Sequence, residues 1–252
     1  MSEKSSNVNN AKSSFVLVHA AWQGPYAWDL VKEHLLQAGY SVQVVQLPGH
    51  GTDTTDPKTI HMDTYVKYVS NAVLATGKKV ILVGHSLAGM IISGVAEEIP
   101  ELIEKLVFIA AYVPENGQSA YAISTLDQQS LLGASLLVSE DQSEFDIVRE
   151  DITNIFCQDG SEDVKQLILA NYRPGPAAPF SDQVELSDER FGRVTKCYVE
   201  TLRDNGIGNK LQKDMIAAVK INEVFSVDSG HTPALSHPGE IANILIATAE
   251  NS

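Results

Sequence analysis

Six short apolar runs rich in β-branched residues alternate along this chain with stretches of helical periodicity. They are SFVLVH (Ser14–His19), SVQVVQL from Ser41, KKVILVGH up to His85, KLVFIAA (Lys105–Ala111), RVTKCYVETL (Arg193–Leu202) and KINEVFSV (Lys220–Val227). Runs of this kind suit strands buried on both faces, which belong to parallel sheets joined by right-handed crossovers. Between them, Trp28, Val31, Leu35 and Leu36 fall at helical spacing, as do Tyr65, Val69 and Val73. Gly39 reads as a helix stop and LPGHG (Leu47–Gly51) as a turn. The pattern predicts an α/β fold, a mostly parallel sheet of about six strands with helices on both faces.

The rhythm breaks after Tyr112. From Pro114 to about Asp188 there are helical patches and breakers, including YRPGPAAPF, but no clean strand. The expected division is a core of residues 13–112 and 192–252 with a mainly helical insertion at 113–191. Residues 1–12, polar and without an apolar stretch, read as a mobile tail rather than a signal peptide.

The formal net charge of −14 makes nucleic acid or an anionic membrane a poor partner. No apolar run approaches the roughly 20 residues that span a bilayer. Cys157 and Cys197 are isolated, so no disulfide framework is expected. A reducing compartment fits, and the cytoplasm is the default location. The seven histidines show no ligand spacing, so neither a metal nor a cofactor is expected.

Chemistry concentrates where KKVILVGHSLAGM turns from strand to helix. Gly84-His85-Ser86-Leu87-Ala88 departs from G-x-S-x-G only at Ala88. Such an elbow strains the serine backbone and lifts its hydroxyl above the sheet, and it needs small residues on either side. Gly84 and Ala88 are both small. The new helix starts here with unpaired amides, and the Leu87 N–H is the natural donor to an oxyanion.

A serine hydroxyl is a weak nucleophile without a base. Past Ser86 the histidines are His231 and His237. His231 follows the last strand after a short loop, at the sheet edge where catalytic groups collect, whereas His237 suits the start of the final helix. The acid belongs after the preceding strand, where Asp204 sits in a turn. Glu200 lies inside that strand, and Asp228 is too close to His231 in sequence. The loop HAAWQG after the first strand offers the Ala21 N–H as second donor. His19 suits a structural role beneath that loop. His85 either orients a neighbouring loop or lines the pocket. Trp22, Met90, Tyr121, Leu131, Phe145 and Phe156 are the expected pocket lining.

Together FVLVHAAWQGPYAW, VILVGHSLAGM, ETLRDNGIG and SGHTPALSHP resemble the α/β-hydrolase superfamily. More narrowly they resemble the branch of plant methylesterases, hydroxynitrile lyases and small bacterial esterases that includes pyrethroid-cleaving enzymes. The resemblance covers roughly residues 14–112 and 192–250 and implies the same triad, Ser86, Asp204 and His231, with Ala21 and Leu87 as oxyanion donors. It makes the insertion a cap over the pocket and leaves a homodimer open. Lyases of one stereochemical type have glutamate, threonine and lysine where this chain has His85, Ala20 and Thr232, and the other type uses an asparagine near Ala20. Esterases of the branch usually have glycine where Ala20 stands. The resemblance thus implies an esterase for small to medium apolar esters, with a hydroxynitrile lyase or a low-turnover ligand receptor as alternatives.

Overall fold

The computed structural model describes residues 12–251. The expected tail lies outside them except for Lys12, whose ammonium donates to the Ala38 carbonyl at 2.6 Å. The elements are β1 (Ser14–Val18), α1 (Asp29–Gln37), β2 (Ser41–Val45), α2 (Met62–Ala75), β3 (Val80–His85), α3 (Ala88–Glu98) and β4 (Ile103–Ile109). Then come α4 (Ala120–Ser124), α5 (Leu132–Ser135), β5 (Leu136–Val138), β6 (Glu144–Ile147), α6 (Ile152–Phe156), α7 (Glu162–Asn171), β7 (Gly175–Pro176) and α8 (Ala178–Ser181). After a π-helical turn at Asp188–Gly192, the chain ends in β8 (Lys196–Thr201), α9 (Asn209–Val219), β9 (Glu223–Val227), α10 (Pro233–Ser236) and α11 (Pro238–Glu250).

The main sheet has six parallel strands in the order β2-β1-β3-β4-β8-β9. Chain order reverses at β1 and β3, which lie side by side, so their following loops diverge and open a crevice at the carboxyl edge. β1 and β3 are buried throughout, while the edge strands β2 and β9 alternate. That alternation follows from cover: central strands meet helices on both faces, edge strands only in part.

Period two sorts the strand residues into two cores. Val16, Val18, Val80 and Leu82 face one core with Val69 and Val73 of α2 and Ile91 and Val95 of α3. Phe15, Leu17, Ile81 and Val83 face the other with Val31 and Leu35 of α1 and Ile241 and Leu245 of α11. Each such fully buried aliphatic side chain contributes about 1.5–3 kcal/mol relative to exposure.

Strand boundaries differ from the sequence expectation, and the fifth run is shortened to Lys196–Thr201. The fourth strand starts earlier, at Ile103, and ends at Ile109, because Ala110 turns to φ +44°. The last starts at Glu223 because Lys220 ends α9 in the left-handed region, φ +58°. The insertion carries a correction as well. It is not free of strands, since β5, β6 and β7 form an antiparallel sheet. Strands of two to four residues, such as polar EFDI, are too short to show alternation.

Candidate active site

β3 delivers Ser86 into a turn that no ordinary loop requires. Its φ is +58°, a left-handed conformation that costs a non-glycine residue about 1 kcal/mol or more. Backbone bonds hold it there. The Ser86 N–H donates to Ile109 O at 3.3 Å, and the Ser86 carbonyl accepts from Gly89 N at 3.1 Å and Tyr112 N at 3.2 Å. A Cβ on Gly84 would lie 2.8 Å from the Ala88 carbonyl oxygen, so glycine is required at 84. Ala88 is fully buried in the same turn, and its one methyl is accommodated. A Cβ on Gly89 would overlap the Tyr112 carbonyl, which explains the glycine one place late.

Three side chains from three strand ends join in one hydrogen-bonded line. Ser86 Oγ lies 2.9 Å from His231 Nε2. His231 Nδ1 lies 2.9 and 3.0 Å from the two oxygens of Asp204. With Nδ1–H donating to the carboxylate, Nε2 is left as the acceptor for the serine proton. Asp204 is fixed in turn by Thr201 Oγ1 (2.7 Å), Gly206 N (2.7 Å), Ile207 N (2.9 Å) and Gln212 Nε2 (3.1 Å). His231 is 2% exposed and Ser86 8%, so the line is shielded from bulk water.

The rival residues are engaged elsewhere. Glu200 accepts from Ser226 Oγ at 2.7 Å, and Asp228 pairs with Arg203 Nε at 2.7 Å on the surface. The His237 ring lies 2.8 Å from Ser236 Oγ and 3.6 Å from Asp159.

The loop after β1 closes the other side. Ala21 and Leu87 are buried, and among the described residues no backbone acceptor takes either amide. His19 donates from Nδ1 to Ala20 O at 2.8 Å and accepts Leu47 N–H at Nε2, 3.2 Å away. Burial pushes its pKa down to about 4, only partly offset by the Ala20 bond, so the ring is neutral and braces the loop from beneath. His85 donates from Nε2 to the His231 carbonyl at 2.7 Å. Its pKa falls to about 3, through burial first and then the neighbouring His231. It orients the His231 loop and does not line the pocket.

A cavity of about 480 Å³ lies beneath the insertion, bounded by Trp22, Tyr112, Tyr121, Leu136, Phe145 and Phe180 among others. Trp22, next to Ala21, and Tyr112, whose amide binds the Ser86 carbonyl, connect it to the serine turn. Trp22 Nε1 donates to Phe145 O at 2.9 Å, and its ring packs at 5.3 Å on Phe180 and 5.6 Å on Phe156. Phe156 also lies 5.9 Å from the His231 ring, beside the reacting groups rather than on the cavity wall.

Besides Phe156, Met90 and Leu131 are corrected as lining residues. Met90 is fully buried within α3 and contacts core, not cavity. Leu131 is 40% exposed, its N–H bound to Asn205 O, and its neighbour Leu132 takes the lining position. Sequence reasoning missed Phe180, whose only signal is an aromatic ending the proline-rich YRPGPAAPF. It also missed Tyr112, which lies just past the fourth apolar run.

The doubly covered parallel sheet, the strained serine after β3 and the His–Asp pair from later strand ends together define a hydrolase scaffold. The chain belongs to the alpha/beta hydrolase family, whose sequence profile matches residues 15–244. It is 32% identical over 251 residues to putative methylesterase 11, chloroplastic, of Arabidopsis thaliana, covering 94% of this chain and 64% of that protein. It thus spans a little under two thirds of that relative. Salicylic acid-binding protein 2 of Nicotiana tabacum is 27% identical over 257 residues, covering 93% of this chain and 96% of that one. A crystal structure of polyneuridine aldehyde esterase superposes with a TM-score of 0.85 at 24% identity, covering 94% and 99% of the two chains. At that identity the likeness is one of fold.

Among the described residues, no cluster of three or more His, Cys, Asp or Glu could hold a metal ion, and no helix is long and apolar enough to cross a membrane.

Proposed function

We propose that the protein is a carboxylic ester hydrolase that forms an acyl-enzyme on Ser86 and acts on small to medium apolar esters. The observation that carries this reading is the continuous Ser86–His231–Asp204 line at 2.9 Å on each side of the imidazole. Names of relatives such as methylesterase 11 support the ester bond and a small alcohol. The aromatic lining of the cavity supports an apolar acyl group.

In the first half-reaction Ser86 Oγ adds to the ester carbonyl while its proton passes to His231 Nε2. Asp204 keeps the Nδ1 proton in place and stabilises the imidazolium. The negative carbonyl oxygen is held by the Leu87 and Ala21 amides, whose fixed dipoles need no reorganisation during reaction. The C–O bond to the alcohol breaks as the imidazolium returns its proton to the departing oxygen. Water then repeats the sequence on the acyl-enzyme, releasing the acid and restoring Ser86. In this scheme the inserted segment is a cap that sizes the acyl group and excludes water.

Cyanohydrin cleavage on the same groups would leave cyanide to be stabilised. Thr232, the residue after His231, is neutral, fully buried and accepts a hydrogen bond from Gln23 Nε2 at 3.1 Å. It supplies no cation. The test is a panel of p-nitrophenyl and methyl esters of graded acyl length beside mandelonitrile. Ester turnover without cyanide release is the expected result, and cyanide release without ester turnover would overturn the reading.

A further inference from the structure

The inserted segment does more than roof the cavity. Its Gln158 and Asp159, between α6 and α7, reach beneath the two loops that carry Asp204 and His231. Gln158 Nε2 donates to the carbonyl of Arg203, the residue before Asp204. Asp159 Oδ2 accepts the N–H of Gly230, the residue before His231, at 2.9 Å. A Cβ at position 230 would lie 2.8 Å from Asp159 Oδ1, so glycine lets the carboxylate approach this closely.

The Asp159 side chain is 4% exposed, and His237 Nδ1 lies 3.6 Å from its Oδ2. Its Oδ1 is buried with no hydrogen-bond partner among the described residues. A polar side chain so placed costs free energy unless the hydrogen bonds it makes repay it. What the carboxylate does hold is the backbone that sets the direction of the His231 ring. Opposite it, His85 holds the His231 carbonyl at 2.7 Å. The residue carrying His231 is therefore gripped through the amide before it and the carbonyl after it, once from the insertion and once from the core.

We propose that Asp159 is a positioning residue: through the Gly230 amide it keeps the His231 imidazole in line with Ser86, making the nucleophile's reactivity depend on the inserted segment. The proposal rests on the hydrolase reading above. It concerns alignment and not the proton transfer itself, which belongs to His231.

The experiment compares wild type with Asp159→Ala, Asp159→Ser and Asp159→Asn. The rate of Ser86 phosphonylation by a small alkyl fluorophosphonate is followed by intact mass, beside the melting temperature. Ala and Ser, which cannot reach the Gly230 amide, are expected to label about tenfold more slowly or worse, as a displaced catalytic group costs. Asn keeps an acceptor oxygen at the same reach and should restore the rate to within about threefold. Because Ser tolerates burial beside polar atoms, it reads the loss even where Ala fails to fold. The second readout is the far-downfield proton of the His231–Asp204 hydrogen bond, observed by NMR at low pH. It should shift or broaden in Ala and Ser and return in Asn. If wild type labels at Ser86 and folded Ala and Ser variants label as fast, the proposal is overturned. If wild type fails to label, the hydrolase reading falls, and the proton resonance alone decides: unchanged in Ala and Ser, it overturns the positioning role; displaced, it supports it.

Discussion

A Cβ on Gly206 would come within 2.8 Å of Cγ of the His231 imidazole. The same Gly206 donates its N–H to Asp204 Oδ1 at 2.7 Å. One small residue thus sets both the carboxylate and the ring that leans on it. Gly206→Ala should push the ring off the Ser86–Asp204 line and lower kcat for p-nitrophenyl acetate by about tenfold or more, with KM little changed. A kcat within twofold of wild type would show that the ring has room the structure does not suggest.

Phe180 is expected to control acyl length. It packs at 5.3 Å on Trp22 and 5.4 Å on Phe145 and borders the cavity. Phe180→Ala should cost about 3 kcal/mol of stability through the space it leaves. The same space should move the kcat/KM optimum towards longer p-nitrophenyl esters. Urea unfolding and an acyl-length series read the two effects separately.

Trp22→Phe keeps the ring but removes the donor to the Phe145 carbonyl. Losing that 2.9 Å bond should cost about 1 kcal/mol and loosen β6 over the cavity. The kinetic signature expected is a raised KM with kcat nearly unchanged, because substrate and transition state lose the same wall.

Stability should fall as the medium turns acid. His19 and His85 are neutral in the folded chain down to about pH 4 and 3, and burial holds His50 well below 6.5 as well. In the unfolded chain all three take up protons below about pH 6.5. There the unfolded state binds more protons, so unfolding becomes easier by about 1.4 kcal/mol per histidine per pH unit, down to the folded pKa values. Denaturant midpoints at pH 7 and pH 5 should differ accordingly, and His50→Gln should reduce the difference.

How much of this was legible follows from element length and burial. The core strands are continuous β-branched runs, and Ser86, Asp204 and His231 each follow one, so order along the chain was enough to bring them together. His19 was legible as a brace because a histidine ending a buried strand must find backbone partners. The inserted sheet was not, since Gly175–Pro176 is two residues long and β6 is polar. Met90 misled because α3 is buried from Ala88 through Ala96, so no face of that helix marks a pocket. Asp159 was invisible in sequence, because its role depends on a loop 71 residues away.

The central claim is that Ser86 attacks the ester and carries the acyl group. Rapid acid quench of wild type with p-nitrophenyl butyrate, followed by peptide mass analysis, tests it most directly. The expected result is a butyryl adduct on the Ser86 peptide that forms and decays at kcat, and its absence, with turnover lost, in folded Ser86→Ala. Turnover retained by Ser86→Ala, or an acyl group found on another residue, would contradict the claim.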